Sequence, residues 1–189
     1  MLIIAGGQTI GGKLAEVISG RGAKGATAKS ESAGNLEPGN SASTSLPRNG
    51  DRLVINQGNL PTCGPNSCAM VLDAAGLKYD IGKLITQSGV TSQGTTLGRL
   101  SNTLNQNGLS AQRVAGVSIE STANGNPAIV RMNLERGGHA VVVDGVTIRN
   151  GQQVVAIRDP ALGRQYFTPI NEFKAKFSGE AIFTNGAKK

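Results

Sequence analysis

A chain of 189 residues with 38% hydrophobic but only 3% aromatic side chains, and no tryptophan, suits a single domain with a lean core. Its net charge of +7 would favour an acidic partner, yet Arg52, Lys78, Arg99, Arg113, Arg131 and Arg164 are scattered and no basic run is interleaved with aromatics, so no nucleic-acid surface or nuclease site is indicated. Two cysteines and one histidine are too few for a disulfide framework or a Cys/His zinc site, so neither a metal nor another cofactor is implied.

No apolar run approaches the ~20 residues of a membrane span. The opening "MLIIAGGQTIGGKLAEVISG" lacks the basic start and long apolar stretch of a signal peptide. A short weak helix is expected around Lys13 to Ile18, in a stretch interrupted by the glycine pairs at 6–7 and 11–12. Residues 20–50 are rich in Gly, Ser, Ala and Asn, the composition of a linker, and the first fifty residues hold no aromatic side chain. The expected organisation is therefore a flexible N-terminal segment, 1–50, followed by a folded domain, 51–187.

Within that domain "RLVIN" reads as a short strand. Gly64-Pro65 opens a helix, with proline tolerated in the first turn, and Gly76 closes it. Cys68, Val71, Leu72 and Ala75 follow the spacing of a buried helical face. Two more helices are expected at Ile81 to Gln87 and Leu97 to Asn107, the second capped by the threonines of "SQGTT" and stopped by Gly108. Then β signals dominate: "SAQRVAG", "PAIVRMN", "GHAVVVDGVTI", "QQVVAIRD" and "EAIFTN" are short, β-branched and bounded by turn residues, with a hairpin at Asn150-Gly151. Helices first and an antiparallel sheet afterwards indicate an α+β fold.

Cys63 stands at the expected helix N-terminus, where unpaired N–H groups and the helix dipole favour a thiolate. Cys68, about one and a half turns further on, belongs to the apolar face. Their Cα atoms would be roughly 8 Å apart on a helix, beyond disulfide reach, so both are expected as free thiols. His139, the one histidine, opens a strand after Gly137-Gly138 and is the sole imidazole available as a base for a cysteine nucleophile. Asp159 ends the partner strand and is the candidate that orients the ring; Asp144 is the rival. A strict two-residue turn at 150–151 places Asp159 opposite Val142, on the wrong face. One extra residue in the hairpin places it opposite Val141, on the face of His139. Gln57, six residues before Cys63, can supply a side-chain N–H to an oxyanion.

The runs "Q-x5-CGP", "GGHAVVVDGV" and "VVAIRDPALGRQYF" resemble the papain-like fold and, within it, the bacteriocin-processing (double-glycine leader) cysteine peptidase family. "GTTLGRLSNTLNQNGLSAQRV", "NPAIVRM" and "INEFKAKFSGEAIF" resemble that family's intervening and closing segments, over about residues 52–184. The resemblance implies N-terminal helices packed on a C-terminal antiparallel sheet, Cys63 as nucleophile, His139 as base, Asp159 as its orienter and Gln57 as oxyanion donor. Thr62 stands where the family usually has an acidic residue, and the second cysteine comes five residues on where four is commoner. Phe177 replaces a frequent tryptophan.

The implied activity is hydrolysis of a peptide or amide bond in a protein substrate by acyl transfer. The family's exporter members carry a membrane domain and an ATPase after the peptidase. A glycine-rich linker before a compact C-terminal hydrolase instead resembles the effector end of bacterial polymorphic toxins. That setting implies a cognate immunity protein and delivery into the reducing cytoplasm of a target cell, with no membrane span and no nucleic-acid partner. The alternatives are a stand-alone leader peptidase or self-processing enzyme, a deamidase or transglutaminase using the same groups, and an inactive binding module.

Overall fold

The structure is a computed structural model that describes residues 48–49, 51–123, 125–135 and 137–187. The expected linker and the Lys13 to Ile18 helix lie outside the described residues. The described chain opens with a small hairpin, β1 (Arg48–Asn49) and β2 (Arg52–Leu53). "RLVIN" is thus a strand only at its start: Val54 and Ile55 are buried but join no ladder.

Helix α1 (Cys63–Ala74) begins with Pro65 inside its first turn and gives way to Gly76 at φ +70, a backbone conformation that favours glycine. Its residues 63–72 are all buried, so α1 is the central helix of the molecule. Helices α2 (Ile81–Gln87) and α3 (Leu97–Gln106) pack beside it; Asp80 caps the first through the Lys83 N–H and Thr96 the second through the Arg99 N–H. At Gly64 a Cβ would meet the Leu100 side chain at 2.7 Å, so this glycine lets α3 close on the first turn of α1.

The remaining chain forms β3 (Leu109–Ala115), a 3-10 turn at Ile119–Thr122, β4 (Ala128–Leu134), β5 (Gly137–Arg149), β6 (Gln152–Asp159), β7 (Arg164–Pro169), helix α4 (Ile170–Lys174) and β8 (Phe177–Ala187). The six long strands make one antiparallel sheet in the order β3-β8-β4-β5-β6-β7. Its middle is buried on both faces. Ile129, Ala140, Val142 and Ile182 join α1 in one core, while Val130, Val141, Val143, Val155 and Ile157 join Ile170 and Phe173 in the other. That explains why "AVVV" and "VVAI" are continuous apolar runs and not alternating ones. The α+β expectation holds. Strand β7 carried no periodic signal, because "RQYFTP" lies at the sheet edge with only Thr168 fully buried.

The β5–β6 hairpin turns at Asn150 (φ 51) and Gly151 (φ 75), both left-handed as a two-residue turn requires. From Arg149↔Gln152 to Gly145↔Ala156 the pairing follows that turn. It then shifts by one residue, to Val143↔Ile157 and Val142↔Arg158. The extra residue is Asp144, beside Gly145 at φ +143. Beyond this bulge Asp159 falls opposite Val141, on the face of His139, which is the odd count the sequence requires for those two side chains to meet.

Candidate active site

The first turn of α1 carries Cys63 with Thr62 as its N-cap residue; the Thr62 side chain makes no cap bond, and its carbonyl accepts the Asn66 N–H at 3.0 Å. The N–H groups of the first helical residues therefore have no intrahelical acceptor, which makes this end of α1 favourable to negative charge. Cys68 is fully buried on the same helix, its thiol directed at the Leu100 carbonyl 3.9 Å away, and burial pushes that thiol well up. Both cysteines are free.

His139, the third residue of β5, places Nε2 2.8 Å from Asp159 Oδ1. The carboxylate is itself held: Oδ1 also accepts the Ala161 N–H at 2.8 Å, and Oδ2 accepts the Tyr166 hydroxyl at 3.1 Å. The imidazole and carboxylate side chains are 4% and 6% exposed. Burial alone would push the imidazole down, but the hydrogen bond and charge of Asp159, with a smaller contribution from Cys63, outweigh it and raise His139 to about 10. Burial likewise opposes the charge on Asp159, yet its bonds to His139, Ala161 and Tyr166 hold it below the usual carboxylate range. Tyr166 is pushed up by burial and then by Asp159, which keeps it a donor. The other ring nitrogen, Nδ1, makes no hydrogen bond.

Gln57 reaches the site through contacts distant in sequence. Its backbone N–H donates to the Pro160 carbonyl at 2.8 Å, directly after Asp159, and its Nε2 donates to the Leu60 carbonyl at 2.8 Å. Asn56 lies against Gly163 so closely that a Cβ there would meet the Asn56 Cβ at 2.8 Å. The segment before Cys63 is thus clamped to the turn after Asp159. One Nε2 proton serves Leu60, the second is free to donate elsewhere, and Oε1 is buried without a partner.

Cys63, His139 and Asp159 therefore come together, and Gln57 is tied to the turn directly after Asp159. Asp144 does not compete for His139: Arg158 binds it through Nε and Nη2, and Arg52 through Nη1. The spacing did not disclose Tyr166. It faces Ile157 in the β6–β7 ladder, diagonal to Asp159, a relation that exists only once β7 is paired.

A cysteine at the N-terminus of a buried central helix, facing a His–Asp pair on an antiparallel sheet, defines the papain-like α+β class of cysteine peptidase. Residues 51–189 match the Peptidase C39 family, and the chain belongs to that family of cysteine peptidases. Among solved structures, a double glycine motif protease from an AMS/PCAT transporter, determined in complex with its leader peptide, is 25% identical at TM-score 0.62. The match covers 72% of this chain and 92% of that one. The peptidase domain of Streptococcus ComA, a bi-functional ABC transporter involved in quorum sensing, shares the fold at TM-score 0.60 and 24% identity, over 74% and 99% of the two chains. An uncharacterized protein of Methanothermobacter thermautotrophicus is 32% identical over 122 residues, 65% of this chain and 79% of that protein. Another from Methanothermobacter marburgensis is 30% identical over 115 residues, 61% and 76% of the respective chains. No helix among the described residues is long and apolar enough to cross a membrane.

Proposed function

We propose that Cys63, His139 and Asp159 carry out acyl transfer on a polypeptide, with Gln57 and the Cys63 N–H as oxyanion donors. The observation that carries this reading is the state of His139: buried, bonded to Asp159 through Nε2, with Nδ1 unbonded and Cys63 close enough to favour its protonated form. The Cys63 thiol passes its proton to Nδ1, and the thiolate attacks the substrate carbonyl, forming a C–S bond. The oxyanion draws on the Cys63 N–H and the second Gln57 Nε2 proton. Collapse expels the amine, which takes the proton from Nδ1 and leaves a thioester. Water then attacks, its proton goes to His139, and the acid departs as the thiol is restored. Asp159 stays ionised throughout and fixes the ring.

For the setting, we infer an effector domain delivered from a bacterium into the reducing cytoplasm of a neighbour and held in check by an immunity protein. Two features support this reading: the Gly/Ser/Ala-rich composition of residues 20–50 ahead of the peptidase, and two free thiols. A second reading, processing at glycine pairs, is favoured by the likeness to the double glycine motif protease and by Gly6-Gly7 and Gly11-Gly12 within this chain.

The test of the mechanism is iodoacetamide labelling against pH, read separately at Cys63 and Cys68 by mass spectrometry, with His139→Ala in parallel. Cys63 labels first at neutral pH and loses that advantage without His139. Labelling of Cys63 that is indifferent to residue 139 removes the acyl-transfer reading. Expression in bacterial cytoplasm separates the settings: growth arrest by the wild type but not by Cys63→Ala supports the effector. New N-termini at Gln8 or Lys13, absent in Cys63→Ala, support processing of its own chain.

A further inference from the structure

We infer that the buried Asp144–Arg158 ion pair is a positioning device that selects the strand register in which Asp159 meets His139. This rests on the proposed role of the His139–Asp159 pair. Arg158 is fully buried, and every nitrogen of its guanidinium is engaged. Nε donates to both Asp144 oxygens at 3.2 and 3.0 Å, Nη2 to Oδ1 at 2.8 Å, and Nη1 to the carbonyls of Leu53 and Met70 at 3.0 and 3.1 Å. Asp144 also receives Arg52 at 2.6 Å and Gln165 Nε2 at 3.4 Å. Stability alone does not account for such a cluster, since an apolar pair of similar volume often serves as well as a buried ion pair.

Its use follows from the two registers open to this hairpin. The turn at 150–151 by itself continues to Val143↔Arg158 and Val142↔Asp159. The bulge replaces these by Val142↔Arg158, which carries Asp159 on to Val141. A one-residue slip reverses every side chain on a strand. In the unbulged register Arg158 shares the face of Val143 and His139, while Asp144 and Asp159 lie together on the other face. Both pairs are then broken, and the face of the imidazole receives Arg158 in place of Asp159. In the bulged register Asp144 shares a face with Val142 and Arg158, and Asp159 with Val141 and His139. One shift makes both pairs.

Hydrophobicity does not decide between these registers. Val154, Val155, Ala156 and Ile157 are all buried, so β6 is apolar on both faces and loses little by reversal. The polar residues at its end therefore choose. Arg158 further ties the choice to the helix that bears Cys63, since its Nη1 bonds reach α1 at Met70 and β2 at Leu53.

The test uses the apolar pair Asp144→Leu with Arg158→Met, and the same background with Gly145 deleted. Deleting one residue at the bulge leaves an unbulged two-residue hairpin in which Asp159 faces Val141 by covalent count alone. The readout is the titration of His139, the single histidine, by imidazole nitrogen NMR, alongside Cys63 alkylation at neutral pH. The titratable groups that act on the ring stay in place: Asp159, with Tyr166 behind it, and Cys63. We expect the double variant to titrate about two pH units lower at His139 and to alkylate at Cys63 at least about tenfold more slowly, both restored by the deletion. A folded double variant whose His139 titrates as in the wild type overturns the inference. Should the double variant not fold, recovery of folding and of the raised titration on deletion supports it, and no recovery overturns it. An ordinary His139 titration in the wild type would instead sink the His139–Asp159 reading, so the two failures are distinguishable.

Discussion

Replacing Asp159 by Asn keeps the volume and leaves an oxygen for the His139 N–H, but removes the charge that stabilises the imidazolium. The rise of His139 from 6.5 to about 10 corresponds to roughly 5 kcal/mol in favour of the protonated ring, at about 1.4 kcal/mol per pH unit. Asp159 supplies the greater part of it through its hydrogen bond and charge, and burial acts in the opposite sense. With the carboxylate gone, burial remains, so Asp159→Asn should titrate at or below the ordinary histidine range. Turnover of a cleaved peptide should fall by about 10²–10⁴, because the ring then lacks the charge partner that stabilises its imidazolium. The assay is direct, since a chain with one histidine gives one pair of imidazole nitrogens in a labelled sample. A titration in Asp159→Asn within about one pH unit of the wild type would refute the claim that Asp159 governs the ring.

Other outcomes follow from the same geometry. Gln57→Ala should lower kcat by about 10²–10³ with KM little changed, read by steady-state kinetics, because the lost donor acts on the oxyanion. Tyr166→Phe removes one of three bonds on Asp159; a loss of about 1 kcal/mol predicts roughly fivefold slower turnover with folding preserved. Gly163→Ala combines φ +60 with a Cβ 2.8 Å from the Asn56 Cβ. It should cost about 1–3 kcal/mol in urea denaturation and slow turnover by displacing Gln57. Stability should also depend on pH. The raised pKa of His139 contributes fully below about 6.5 and is lost as pH rises through about 10. The depressed Asp159 contributes above the ordinary carboxylate pKa and is lost as pH falls through its lowered value. The urea midpoint should therefore be highest in mildly acidic solution and decline toward pH 10, with that alkaline decline flattened in Asp159→Asn.

Much of the fold was legible because its signals are local. The caps at Asp80 and Thr96, the stop at Gly76 and the left-handed pair at Asn150-Gly151 each act within a few residues, so the sequence alone locates α1, α2, α3 and the β5–β6 turn. Strand β7 and the brevity of β2 were not legible, since a strand at the edge and two residues of pairing leave no periodic pattern.

The candidate residues of the site were also named from sequence. With one histidine and one cysteine at a helix start, a Cys–His pairing had a single form, and the face of Asp159 reduced to the parity of one hairpin. Whether that parity is odd could not be read from the turn, because a bulge is chosen by competition between two registers whose apolar content is nearly equal. The tertiary structure decided it, by burying Arg158 against Met70 and Leu53 and drawing Asp144 to it. It likewise fixed Gln57 on Pro160 and Tyr166 on Asp159, contacts that arise when segments far apart in the chain close on one another. Local chemistry named the residues; long-range packing set the distances at which they meet.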